Sequence, residues 1–172
     1  MKNFFFGVLA TLLTLVLGAW VYLRLGCAEV RGDLPASPWE TALMNSAVHA
    51  SVRRRAPELP NPVAPTEENL IAGGTIYANA CSGCHGDLAK PDVSDTAHSL
   101  YPAIPQLPQA GTEYTEAQIF WIAKHGIRRS GMFSNGGWES DQRLWTVAAF
   151  IKRIRALPPA VQQALAAPKS GK

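Results

Sequence analysis

Cysteine is scarce in this chain of 172 residues: three in all, Cys27, Cys81 and Cys84. An odd number with two of the three close together does not suit the disulfide framework of a small secreted protein, which uses an even set at several spacings. Charge of one sign is lacking too. The formal net charge is only +3, and nucleic-acid binding demands a basic stripe that is absent here, so no nucleic-acid partner is expected. No general acid/base pair, nucleophile triad or phosphate loop can be read, so the chain is not expected to be an enzyme. Alternating strand patterns are missing, as are internal repeats and low-complexity tracts. What is left is a mainly α chain, 47% apolar, with enough material for about one packed domain.

The first segment has what the rest lacks, a long uncharged run. From Phe4 to Leu23 nothing is charged, and only Thr11 and Thr14 bear hydroxyls. As a helix this run reaches about 30 Å, the hydrocarbon thickness of a bilayer. Trp20 and Tyr22 stand near its far end, where aromatic rings favour the membrane interface. Lys2 precedes it and Arg24 and Arg31 follow, a weak orientation signal. A cleaved export signal has a shorter apolar region, about 7–15 residues, ending in small residues. An uncleaved anchor over residues 1–26 is therefore expected. Cys27 follows Gly26 as in a lipoprotein processing site, but Arg24 fits that motif poorly, and a plain thiol is expected.

Residues 27–65 read as a linker, punctuated by Pro35, Pro38, Pro57, Pro60, Pro62 and Pro65. Within it Ser37-Pro38-Trp39-Glu40 signals a helix start, with Ser37 as cap and Glu40 completing a capping box. That helix is expected to run to about Arg54. The Arg53-Arg54-Arg55 cluster at its end suits the helix dipole and reads as a solvated helix end, with anionic lipid or an acidic partner as the alternative. Pro57 to Pro65 reads as a stiff, extended spacer.

The chemistry lies in Cys81-Ser82-Gly83-Cys84-His85, a Cys-x-x-Cys-His string, the attachment signature of c-type haem. At a helix end two thiols three apart reach the vinyl groups on one porphyrin edge, and the next residue sets an imidazole under the iron. Cys81 and Cys84 are thus the expected thioether residues and His85 the proximal axial ligand. A zinc site needs a second ligand pair, which does not exist. A thioredoxin-like pair needs a βαβ setting, which is absent. One motif implies one haem and one iron.

The sixth iron position falls to Met132, in the short polar loop Arg128-Arg129-Ser130-Gly131-Met132-Phe133, a poor place for a core filler. A thioether there raises the reduction potential and closes the iron to outside ligands. His49, His98 and His125 are the competing donors. Three helices surround these ligands: about Glu67 to Ala80 capped by Thr66, about Glu116 to Lys124 capped by Thr115, and about Asp141 to Arg155 capped by Ser140. The third carries a wide apolar face. Arg128, Arg129 and Trp138 are candidates to hydrogen-bond haem propionates, with a solvated loop as the alternative.

From about Asn69 to Ala160 the chain resembles a class I cytochrome c domain, narrowly the bacterial membrane-anchored monohaem type with a later Gly-Met loop. The resemblance rests on the Cys81–His85 string, on Gly131-Met132, and on Leu100-Tyr101-Pro102-Ala103-Ile104-Pro105, which is similar to the family's proline-rich loop. It implies an all-α domain over residues 66–172, after one transmembrane helix and a linker helix. It also implies that a proline carbonyl, of Pro102 or Pro105, accepts a hydrogen bond from His85, and that Gly74 and Tyr77 meet the closing helix with Trp145 or Phe150 opposite. The family's Gly-Met-Pro is Gly131-Met132-Phe133 here, which loses a proline that stiffens the loop. The function so implied is electron transfer, by a shuttle or by a subunit of a larger respiratory or dehydrogenase complex. Its partners would be redox proteins, and its place the periplasmic side of a bacterial inner membrane. A haem-based sensor or weak peroxidase with a labile sixth ligand is the alternative.

Overall fold

The computed structural model describes residues 1–32, 34–90 and 100–167, which form two compact units, Met1–Leu34 and Pro35–Lys172. The described residues are helical, without strands.

The first unit is essentially one helix, α1 (Lys2–Arg24), with no buried residue. Among the described residues it alone is long and apolar enough to cross a bilayer. Its two hydroxyls do not face outward unpaired. Thr11 and Thr14 each donate to the carbonyl four residues back, Gly7 and Ala10, at 2.9 Å. Such back-bonding satisfies polar atoms where no water is available.

The second unit begins with α2 (Pro38–Arg55) and continues with α3 (Glu67–Ala80), α4 (Ser82–His85), α5 (Leu107–Ala110), α6 (Glu116–His125), α7 (Asp141–Arg153) and α8 (Pro159–Ala166). The starts of α3, α6 and α7 have one cause. Thr66, Thr115 and Ser140 sit in extended backbone and accept from the amide three residues on, at 3.2–3.3 Å. At α6 the Gln118 side chain also accepts from the Thr115 amide at 3.0 Å, a complete capping box.

The core lies where α3, α6 and α7 cross. Phe120 of α6 stacks on Trp145 of α7, centroids 4.1 Å apart. Tyr77 of α3 meets Phe150 of α7 at 5.6 Å, and both are fully buried. Trp145 therefore faces α6, and Phe150 is the residue opposite α3. Gly73 permits the approach: a Cβ there would lie 2.7 Å from both Phe150 Cβ and the Thr146 carbonyl oxygen. Gly74 instead faces Phe150 and Leu165, the latter on α8, a helix the sequence reading does not include.

Residues 35–65 also differ from the expected linker, because they pack on the domain. Val52 of α2 is only 1% exposed, a burial that contributes ~1.5–3 kcal/mol. His49 Nδ1 lies 2.9 Å from Tyr114 Oη. Asn61, between the prolines, donates to Glu116 Oε2 at 2.5 Å and to the Trp145 carbonyl at 3.0 Å. Glu116 also pairs with Arg153 at 2.6 Å, so one carboxylate ties the Pro57–Pro65 stretch, α6 and α7 together. The Ser37 capping box does not form: Ser37 makes no side-chain cap bond, and its hydroxyl is buried without a partner.

Candidate functional site

The site grows from the end of α3. Cys81 closes α3 and opens α4, so the chain turns once more as a short helix instead of running out. The Cys84 and His85 amides donate to the Cys81 carbonyl at 3.1 and 2.9 Å, and the Gly86 amide to Ser82 at 3.0 Å. Gly86 ends the turn at φ +95°, a backbone region that side-chain-bearing residues avoid. Tyr77 Oη lies 2.8 Å from the Gly86 carbonyl and 3.1 Å from that of His85, so its one proton is shared between them. Burial pushes the Tyr77 phenol well above its ordinary pKa and keeps that proton in place.

His85 is positioned from its other side by the proline-rich loop. Its Nδ1 lies 3.0 Å from the Pro105 carbonyl. A carbonyl can only accept, so Nδ1 carries the hydrogen and Nε2 keeps its lone pair. Burial lowers the pKa of His85 and favours the neutral ring, opposed in part by the Pro105 bond, which raises it. Pro102 is half-buried and makes no such bond. Gln106 holds the two loops in register by donating to the Cys84 carbonyl at 3.0 Å.

Cys81 and Cys84 are half-buried free thiols. Burial, then the charges of Glu139 and Cys84, push the Cys81 thiol up to about 11. A Cβ placed on Gly83, between them, would meet no atom within 4 Å.

Met132 is half-buried in a loop fixed by polar bonds. The Ile127 amide donates to the Met132 carbonyl at 2.8 Å, and the Met132 amide to Ser130 Oγ at 3.1 Å. Ser130 Oγ in turn donates to the Ile127 carbonyl at 2.7 Å. On the far side Ser134 donates to the Lys124 carbonyl at 2.7 Å, and Asn135 Nδ2 to that of Ala123 at 2.9 Å. The loop thus caps the end of α6. At its root stands Gly126, φ +66°, where a Cβ would lie 2.6 Å from the Met132 carbonyl oxygen. This mesh holds the loop with no proline after Met132. Gly131 packs directly against Leu100, beside the proline-rich loop.

The remaining candidates stand further out. Arg128 and Arg129 are exposed and form no ion pair among the described residues, and Arg129 holds φ 60°. Trp138 is 71% exposed, its indole 3.4 Å from Asn135 Oδ1. His49 is engaged with Tyr114, and His125 is exposed against Trp121. His98 lies outside the described residues. Among the described residues no group of three or more His, Cys, Asp and Glu could hold a metal ion by itself. One residue that the sequence reading does not single out matters here. The Tyr101 hydroxyl is buried with no partner, a costly arrangement unless something else accepts its proton. Its only signal in sequence is an aromatic beside Pro102.

Residues 68–151 match the family described as cytochrome C oxidase, cbb3-type, subunit III. No solved structure matches the chain.

Proposed function

Residues 68–151 form a domain of the cytochrome c family, whose cofactor is a covalently bound c-type haem with its iron, and from that premise we propose that the protein is a membrane-tethered monohaem electron carrier. The residues present fit the group: two free thiols flank an open turn, an imidazole presents Nε2, and the buried Tyr101 hydroxyl lacks an acceptor that a haem carboxylate would provide. Cys81 and Cys84 would hold the haem by thioethers, His85 and Met132 would ligate its iron, and the Tyr101 hydroxyl, with Arg128, Arg129 and Trp138, would bond its propionates. When bound, the iron supplies a one-electron couple.

The observation that carries this reading is the His85–Pro105 bond. It fixes the tautomer and the plane of the ring, as second-shell acceptors do for ligating histidines. The Met132 loop supports it as well, since its backbone is hydrogen-bonded at both ends. Ligands held so firmly shift little between oxidation states, which favours electron transfer over substrate binding or sensing. The family match and the packing of residues 35–65 on the domain favour a subunit of a redox complex over a freely swinging shuttle. With α1 as a single span, the haem domain lies on the periplasmic side of a bacterial inner membrane.

The test is the oxidised spectrum. Thioether ligation of ferric haem gives a weak far-red band. Met132→Ala abolishes it and lowers the reduction potential, while Met44→Ala, a change within α2 before the haem-attachment string, leaves both unchanged. A wild-type protein that binds carbon monoxide readily when reduced would refute the closed site and favour the sensor or peroxidase reading.

A further inference from the structure

The Pro105 carbonyl that receives the His85 proton has little of its own to hold it. Pro105 is exposed, so water competes for the bond, and proline has no amide hydrogen by which to be anchored. What aims the carbonyl is the next residue, because the Pro105 carbonyl and the Gln106 amide nitrogen share one rigid peptide plane. Gln106 is fixed twice. Its own carbonyl receives the Gln109 and Ala110 amides at 3.2 and 2.9 Å, which opens α5. Its side chain crosses to the Cys81–His85 turn, where Nε2 donates to the Cys84 carbonyl at 3.0 Å and also to the Ile104 carbonyl at 3.3 Å.

We propose that Gln106 is a positioning residue: its side-chain amide ties the peptide that carries the Pro105 carbonyl to the turn that carries His85, and so sets the strength of the His85–Pro105 bond and, through it, the reduction potential. The inference rests on the reading that His85 ligates the iron.

Three observations carry it. The first is reciprocity. Cys84 and His85 are neighbours, as are Pro105 and Gln106, and each pair donates once to the other: His85 Nδ1 to Pro105, Gln106 Nε2 to Cys84. The two segments cannot slide past each other without straining both bonds. The second is the orientation of the amide. Both partners of Nε2 are carbonyls, which only accept, so the nitrogen must face them and Oε1 must point away. There Oε1 is buried without a partner. A buried acceptor left unpaired destabilises the fold, so a residue that served only to fill this space would be better apolar. The third is fit. A Cβ on Gly86 would lie 3.1 Å from Gln106 Oε1 and 3.3 Å from Pro108 Cδ, so the side chain lies against the turn with no slack.

The sign of the effect separates this role from simple packing. The acceptor on Nδ1 makes the ring a stronger donor at Nε2, which favours the ferric state. Weakening that bond therefore raises the potential. A loosened site that admits water does the opposite, since water favours the more highly charged ferric state.

The test uses the full-length, haem-loaded chain in detergent micelles, with the potential measured by redox titration and the His85 ring followed by NMR in the reduced protein. Gln106→Met keeps the length of the side chain and removes both polar atoms. It is expected to speed exchange of the His85 Nδ1 hydrogen about five- to tenfold, the worth of one hydrogen bond, and to raise the potential. Gln106→Asn, which keeps the amide but withdraws it by about one bond length, is expected to do the same and serves if Gln106→Met loads haem poorly. Leu107→Val thins the buried core beneath the same loop and leaves the Gln106 side chain in place. It is expected to keep the wild-type exchange rate and not to raise the potential.

Unchanged exchange and potential in Gln106→Met, or in Gln106→Asn where that variant stands in, overturn the proposal and leave the ligation standing, provided the His85 ring protons remain displaced by the ring current of the haem. Faster exchange with a lowered potential, or the same rise in Leu107→Val, assigns Gln106 to packing alone and overturns it too. His85 ring protons at ordinary positions in the wild type overturn the ligation, and the proposal with it.

Discussion

Gly73→Ala probes the contact on which the site turn depends. Alanine gains ~1 kcal/mol over glycine in a helix interior. Its Cβ, however, would lie 2.7 Å from Phe150 Cβ and 2.7 Å from the Thr146 carbonyl oxygen. Both atoms belong to the stem of α7 and cannot swing away. Carbon contacts settle at about 3.5–4.0 Å, so α3 and α7 must part by roughly 1 Å. Overpacking of this kind costs ~1–3 kcal/mol, and the parting also loosens the Tyr77–Phe150 contact. The expected net loss is about 1–2 kcal/mol, or roughly 3–8 °C in Tm for a domain of this size. Gly74→Ala is the control. Its tightest contacts, at 2.6 and 2.7 Å, are Cδ1 and Cδ2 of Leu165, the end of a half-buried side chain that can turn aside, and Phe150 Cε2 lies at 3.0 Å. It should fall within about 1 kcal/mol of wild type, because the propensity gain offsets the crowding. Thermal unfolding of the haem-loaded protein, followed by far-UV circular dichroism, measures both. A Gly73→Ala protein as stable as wild type, or a Gly74→Ala protein that loses more, would refute the claim that α3 is held against α7 at Gly73.

Cys81→Ala or Cys84→Ala should weaken covalent haem staining after denaturing electrophoresis and the double variant should lose it; full staining of the double variant at the mass of the chain would sink the attachment assignment. Asn61→Ala removes the bonds to Glu116 and to the Trp145 carbonyl and should cost ~1–3 kcal/mol in urea unfolding, whereas an inert change would show that the Pro57–Pro65 stretch is not anchored there. In the haem-free chain the Cys81 thiol is raised from 9.0 to about 11. The folded state therefore keeps a proton that the unfolded state releases, so this contribution to stability is complete below the unfolded value and is lost as pH climbs from 9 toward 11. Alkylation of Cys81, read by mass spectrometry, should accordingly keep rising about tenfold per unit beyond pH 9; a plateau near 9 contradicts a buried thiol.

The parts of the fold legible in sequence are those with local causes. Thr66, Thr115 and Ser140 each announce a helix by a side chain that can accept from an amide three residues on, and each bond is present. The Cys81–His85 string is local as well, since its spacing is its function. What could not be read depends on partners distant in sequence. Pro57 to Pro65 looks like a spacer because prolines dominate it, while its attachment hangs on Asn61 and partners at Glu116 and Trp145. Helix α2 carries apolar residues on both faces, so its pattern does not tell which side is covered. Helix α8 offers little more than Val161 and Leu165 to a hydrophobic count, and its packing depends on the space left by Gly74. At Ser37 the local rule itself fails, because the hydroxyl is buried where it meets no amide. Tyr101 escapes notice for a related reason: an unpaired hydroxyl is visible only once its surroundings are known.

The missing proline after Met132 brings these strands together. Proline would fix one φ angle and remove one backbone donor. In its place the chain uses Ser130, Ser134 and Asn135, whose side chains bond the carbonyls of Ile127, Lys124 and Ala123. Those carbonyls lie at or just past the end of α6, where acceptors are otherwise left open. The loop is therefore stiffened by satisfying a helix terminus, and α6 is in turn locked into the core by the Phe120–Trp145 stack. On the other side His85 follows the same logic, since its turn is bonded to Tyr77 of α3 and its ring to Pro105. On the proposed ligation, each axial ligand is thus rooted in a different helix, and α7 packs against both. A change of charge at the iron would act on ligands whose backbones are anchored to core helices. That anchoring is the property an electron carrier requires, and it comes from packing around α7 more than from either ligand loop alone.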